Sequence, residues 1–158
     1  MSKVTKGFAS VVLGTVVLAA SFSGQADSIK VGFNVPLTGF AAADGKSARI
    51  GAELAVEQVN AAGGINGKDL ELVIYDDQAS PKESAPLAAK LITQDGVVAG
   101  ISGSYSGATR AAATIYQENA TPYISAYAVH PDITRSGDYV FRTSFMGEVQ
   151  GLSLIHIS

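Results

Sequence analysis

Apolar and polar residues change period several times along this 158-residue chain, and each change marks an element. Ile29 to Val35 alternates and is rich in β-formers, which predicts a first strand stopped by Pro36. Leu37 to Gly45 has no such period and reads as a loop that includes Asp44. Ile50, Leu54, Val56 and Val59 then recur at helical spacing and predict a helix through Asn60. Gly63-Gly-Ile-Asn-Gly67 ends it, because glycine takes the left-handed backbone past a helix C-terminus at little cost. Leu70 to Tyr75 predicts a second strand, closed by Asp76 and Asp77. Pro81 suits the first turn of a helix that continues from Ala85 through Gln94, before Asp95-Gly96 turns the chain. Val97 to Ile101 is the continuous apolar run of a parallel strand covered on both faces. Ala108 to Glu118 predicts a third helix, Tyr123 to Ala126 a fourth strand, and Tyr139 to Arg142 the start of a fifth.

Strands alternating with helices in this way predict an α/β fold with a doubly wound parallel sheet. Its crossovers are right-handed and its ligand crevice lies at the strand C-termini. No internal repeat or low-complexity segment interrupts the pattern, and one compact domain accommodates it.

The two ends follow a different logic. Lys3 and Lys6, an apolar run from Phe8 through Ala20, and small residues at Gly24 and Ala26 form an export signal over residues 1–26, cleaved after Ala26. The apolar core is shorter than the roughly 20 residues a spanning helix needs. No cysteine follows it, which excludes a lipoprotein anchor, and the chain has none elsewhere to form a disulfide. Leu152-Ser-Leu-Ile-His-Ile-Ser158 has no turn, cap or strand logic joining it to Gly151. It matches the translation of CTG TCT CTT ATA CAC ATC, which resembles a transposon-end sequencing adapter. Native sequence is therefore expected to end near Gly151, leaving 27–151 as the folded unit and His130 as its one imidazole.

Removing the leader takes away two lysines and no acid, moving the formal net charge from −3 to −5. The basic residues are scattered, with no stripe of the kind nucleic acid needs, so nucleic acid is excluded as a partner.

Candidate chemistry concentrates in Gly103-Ser104-Tyr105-Ser106-Gly107, directly after the third strand and at the start of the third helix. Such a loop aims free backbone N–H groups and two hydroxyls at one point, where the helix dipole favours an anion, and a carboxylate fits. A plainer reading has Ser106 capping the helix, which needs only one hydroxyl. A nucleophile elbow would put serine where Tyr105 stands, and a dinucleotide fingerprint would need glycines closer than Gly32 and Gly39. Neither a cofactor nor a metal is implied: Asp76-Asp77 and one histidine make no ligand cluster, and the two acids read as solvated turn residues that also cap Gln78 onward. Two further segments face the expected crevice, Asp44 after the first strand and Tyr127-Ala128-Val129-His130 after the fourth. Tyr127 can wall a pocket with its ring and hydrogen-bond with its hydroxyl. His130 before Pro131 reads as an ordinary loop residue.

Val31-Gly-Phe-Asn-Val-Pro-Leu-Thr-Gly39, Gly51-Ala-Glu-Leu-Ala-Val-Glu-Gln-Val-Asn-Ala-Ala-Gly-Gly-Ile-Asn-Gly67, Val73-Ile-Tyr-Asp-Asp77 and Phe141-Arg-Thr-Ser-Phe145 together resemble the branched-chain amino acid binding proteins of bacterial ABC transporters, the type I periplasmic receptors. The resemblance implies the first lobe of a two-lobed receptor, without its second lobe, that closes on a solute in the periplasm and delivers it to an ABC permease in the inner membrane. It also implies no catalytic residue. Ser106 matches the serine that binds the ligand carboxylate, with Ser104 as the alternative, and Tyr105, Tyr127 and Ala128 flank the same site. Two positions depart from the leucine-type pattern: Val129 stands where those receptors carry a threonine, and Asp44 where they carry an aromatic. Both departures point away from leucine, isoleucine or valine toward another amino acid, an amide, or an aliphatic or aromatic carboxylate. An extracytoplasmic sensor lobe is the competing reading and a secreted α/β hydrolase a more distant one, since His130 has no evident nucleophile partner.

Overall fold

The computed structural model describes residues 28–155. The leader, including the expected cleavage site, lies outside the described residues. In chain order the elements are β1 (Ile29–Val35), α1 (Ala42–Ala61), β2 (Leu70–Asp76), α2 (Pro81–Thr93), β3 (Ala99–Ser102), α3 (Ser106–Glu118), β4 (Tyr123–Ser125), a 3-10 turn (Pro131–Ser136), β5 (Val140–Arg142) and α4 (Gly147–Ile155). The five strands form one parallel sheet in the order β2-β1-β3-β4-β5. The expected doubly wound fold is present, with α1 on one face of the sheet and α2 and α3 on the other.

Strand alternation sorts the side chains between these faces. Phe33, Ile101, Ile124 and Phe141 stand side by side in register on the α1 face. Gly32, Gly100, Tyr123 and Val140 face α2 and α3. There Tyr116 of α3 stacks on Tyr123 at 4.4 Å between ring centroids, and the two rings pack with Leu91, Ala88, Ala112 and Ile133 as the core. A Cβ at Gly100 would come within 2.3 Å of the Tyr116 ring, so only glycine lets the helix lie this close to the strand.

Several boundaries differ from expectation. β3 begins at Ala99 rather than Val97, because the Val97 N–H donates back to Leu91 O and completes the exit from α2. α1 begins at Ala42, so Asp44 lies in the first turn of the helix and not in a loop. The Pro131–Ser136 turn was not expected; His130 Nδ1 accepts the Asp132 N–H and Pro131 supplies a preset φ at its start. At the far end, α4 runs without a break across Gly151 and Leu152, where no structural join was expected.

Candidate functional site

The β3-α3 loop is fixed from every side. Gly103 N–H donates to Asn34 O at 2.9 Å, and Tyr127 donates its hydroxyl proton to Gly103 O. Ser104 N–H donates to Ser102 Oγ at 3.2 Å, while Thr109 Oγ1 donates to Ser104 O at 3.1 Å. Thr109 N–H then donates to Tyr105 O at 2.9 Å and starts the bonding of α3. Helix geometry leaves the N–H groups of Ser106, Gly107 and Ala108 without acceptors inside the helix, at the positive end of its dipole. The cap position is Tyr105, in extended conformation, and no side chain caps the helix. Ser106 therefore is the first helical residue, half-buried, and does not serve as the cap.

Beside this helix end is an open cavity of about 320 Å³ lined by Asp44, Ser47, Ala48, Tyr105 and Tyr127. Tyr105 donates its hydroxyl proton to the Asp44 carboxylate, which raises the pKa of the phenol. Tyr105 also packs against Phe40 at 5.7 Å and meets Tyr127 edge-on at 6.4 Å. Burial, followed by the charges of Asp44, Tyr105 and Asp77, pushes the Tyr127 hydroxyl up to about 12. Tyr127 is thus a neutral wall and a hydrogen-bond donor throughout the physiological range. The arrangement can hold a small molecule with an anionic end at α3 and a flat or polar end against the tyrosines.

Of the residues singled out in the sequence, Asp44, Tyr105 and Tyr127 converge on the cavity and Ser106 stands at the adjoining helix start. Ser104 is fully buried behind the loop, with its Oγ donating to Asp77 Oδ1 at 3.0 Å. Ala128 and Val129 do not line the cavity: Ala128 O accepts from Ser125 and Ser144, and Val129 O accepts from Gly147 N–H before α4. Phe40, Ser47 and Ala48 escaped the sequence reading. The last two lie one helical turn beyond Asp44, a spacing that would have linked them to it had the helix start been placed correctly.

The adjacent aspartates correct another expectation. Asp76 is the last residue of β2 rather than a turn residue, but its side chain caps Gln78 as foreseen, accepting from Gln78 N–H and also from Leu37 N–H, Thr38 N–H and Thr38 Oγ1. Asp77 is fully buried and not solvated. Its capping part of the expectation holds, since it accepts the Ala79 N–H at 3.0 Å, while Gln78 and Ala79 both adopt the left-handed backbone. Burial raises the pKa of Asp77, against the opposing effect of donors from Ala79, Ser104 and Ser84. Among the described residues no group of three or more His, Cys, Asp or Glu could hold a metal ion.

A family model described as periplasmic binding protein matches residues 28–156. The leucine-, isoleucine-, valine-, threonine- and alanine-binding protein of Pseudomonas aeruginosa is 41% identical over 133 residues, covering 84% of this chain and 35% of that protein. A branched-chain amino acid transporter substrate binding protein from Streptococcus pneumoniae, solved with isoleucine, aligns with a TM-score of 0.73 at 39% identity over 76% of this chain and 34% of its own. A solute binding protein of an ABC transporter from Rhodopseudomonas palustris, solved with 3,4-dihydroxybenzoic acid, aligns with a TM-score of 0.70 at 32% identity over 75% of this chain and 32% of its own. The chain spans about a third of the length of these relatives.

Proposed function

Since this chain belongs to the periplasmic binding protein family, we propose that it forms the first lobe of an extracytoplasmic receptor that captures an amino acid or related small carboxylate for an ABC permease. The supporting observation is the β3-α3 loop, whose backbone is held so that the N–H groups opening α3 stand free beside an aromatic-walled cavity. A ligand carboxylate placed there gains charge-assisted hydrogen bonds from Ser106 and the helix end. Export follows the same reading, with the leader removed after Ala26, the protein released into the periplasm, and Asp27 expected as the first residue in N-terminal sequencing.

A second reading concerns the solute. Walls of Tyr105, Tyr127 and the neighbouring Phe40 suit a ring, so an aromatic carboxylate competes with an amino acid. Calorimetric titration of a full-length receptor carrying this segment, with leucine, threonine, glutamine, benzoate and 4-hydroxybenzoate, separates the two. Micromolar binding of one class with none of the other decides between them, and no binding of any carboxylate removes the proposal. Ser106→Ala should weaken the bound solute about ten- to hundredfold, since a hydrogen bond to a charged group contributes about 1.5–3 kcal/mol.

A further inference from the structure

The Asp77 carboxylate has no role in the site as described, yet it is fully buried and surrounded by neutral donors. Three of them converge on it: Ala79 N–H at 3.0 Å, Ser84 Oγ from α2 at 3.3 Å, and Ser104 Oγ from the β3-α3 loop at 3.0 Å. The proton directions in the surrounding network are fixed. Asn34 Nδ2 donates to Ser84 Oγ at 3.2 Å, which leaves the Ser84 proton for Asp77. Thr109 Oγ1 gives its one proton to Ser104 O, so it accepts from Ser102 Oγ at 2.6 Å. Ser102 Oγ in turn accepts the Ser104 N–H, and the Ser104 hydroxyl proton goes to Asp77. All three bonds to this carboxylate are ones an anion accepts.

An ionised carboxylate in this position is an expensive way to stabilise a fold. No salt bridge reaches it among the described residues, and a buried charge without an opposite partner is costly even when hydrogen-bonded. A neutral amide of the same shape could satisfy the same neighbours by turning one serine proton around. What the amide could not reproduce is the strength of the grip on Ser104, because bonds to an ionised acceptor are roughly twice as strong as neutral ones. Ser104 is the residue through which that grip reaches the ligand. Its N–H, carbonyl and hydroxyl are all engaged, and the free N–H groups that open α3 begin two residues later.

We propose that Asp77 is a positioning residue for solute binding: its carboxylate clamps Ser104 from the C-terminal end of β2 and holds the N–H groups of Ser106, Gly107 and Ala108 aimed at the ligand. This rests on the carboxylate-site reading given above, and the experiment separates the two. The probe is acetate, and the readout is amide NMR of the 158-residue chain as wild type, Asp77→Asn, Ser104→Ala and the double variant. In Asp77→Asn we expect the amides of Gly103 and Ser104, both hydrogen-bonded in the wild type, to exchange with solvent about tenfold faster or more, the scale of one lost charged hydrogen bond. The Tyr123 and Val73 amides should keep their protection, and the melting temperature should stay level or rise. Acetate should bind the α3 amides about tenfold more weakly, and the double variant should be no looser than Ser104→Ala alone, because the clamp acts through that hydroxyl. A uniform loss of protection with a lowered melting temperature would show a merely structural carboxylate and overturn the proposal. So would loop exchange and acetate binding that Asp77→Asn leaves unchanged. If acetate fails to move any wild-type amide, the carboxylate-site reading falls, while the exchange rates still decide whether Asp77 holds the loop.

Discussion

The two faces of the sheet differ in how completely this chain covers them. On the α2-α3 side Tyr116, Tyr123, Leu91 and Ala112 are wholly buried, and the polar set Asn34, Ser84, Ser102 and Thr109 is buried with them under the β3-α3 loop. On the α1 side Phe33 and Val35 are roofed, but Ile124 and Phe141 in the same sheet are 38% and 50% exposed. Although the cavity itself is lined from α1 by Asp44, Ser47 and Ala48, the hydrogen-bond network behind the β3-α3 loop shares the closed face with the core. Residues there are constrained by packing and hydrogen bonding together, whereas the outer part of the α1 face carries apolar side chains with little to lose on substitution.

The closed face should be the most fragile. Tyr116→Ala removes a ring stacked on Tyr123 and leaves a void beneath Gly32 and Gly100, so a loss of about 3–5 kcal/mol is expected, as for other large aromatic truncations. Tyr116→Phe sharpens the point in the opposite direction. The Tyr116 hydroxyl is buried without a partner among the described residues, and burial raises its pKa well above that of an ordinary phenol. Deleting that oxygen should stabilise the fold by about 1 kcal/mol, within the cost of leaving a polar group unsatisfied. Chemical denaturation of the two variants tests both signs, and a Tyr116→Phe protein weaker than wild type would mean the hydroxyl is bonded.

The two aspartates carry the contrast into pH dependence. Burial acts upward on Asp76, but donors at Thr38, Gln78 and Leu37 outweigh it and hold its pKa below the ordinary 3.8. Its contribution to stability is present above that value and is lost as pH falls through the lower folded value. Asp77, raised mainly by burial, has the opposite sign. Between 3.8 and its higher folded value the native state holds a proton that the unfolded chain has released, so stability declines as pH rises through the folded value. Thermal melts across acid pH should show both slopes, with Asp76→Asn flattening the first and Asp77→Asn the second. An Asp77→Asn profile that keeps the upper slope would assign it to another group.

Local pattern made β1 legible, since its alternation runs cleanly into Pro36. It failed at β3, where Val97 looks like strand but closes α2 through a bond to Leu91, a tertiary choice that hydropathy does not encode. The convergence of Asp44, Tyr105 and Tyr127 was legible because all three follow the C-terminal ends of strands, Tyr105 and Tyr127 in the segments just beyond and Asp44 in the first turn of α1, on the side where an open α/β sheet binds ligands. The burial of Asp77 was missed although strand period carried the signal: Val73, Tyr75 and Asp77 share the face that meets α2, while Asp76 points the other way. Turn chemistry explains both acids equally well, and only the packing of Ser84 and Ser104 separates them.

The smallest effect is expected on the open part of the α1 face, at Phe141. Its neighbour Val140 points into the core and is almost wholly buried, so a one-residue step along β5 crosses from the closed face to the open one. Phe141→Ser removes a ring of which about half already meets water, at the open edge of the sheet and outside the closed core. The change in unfolding free energy should therefore stay within about 0.5 kcal/mol, the usual range for surface substitutions. Solubility should respond more than stability, because Ile124 and Phe141 form an apolar strip that a second molecule can meet, and a serine interrupts it. Denaturation midpoints and light scattering on purified Phe141→Ser test the two halves separately. A midpoint shift as large as that of Tyr116→Ala would mean that Phe141 is covered in solution, and the difference between the two faces would disappear.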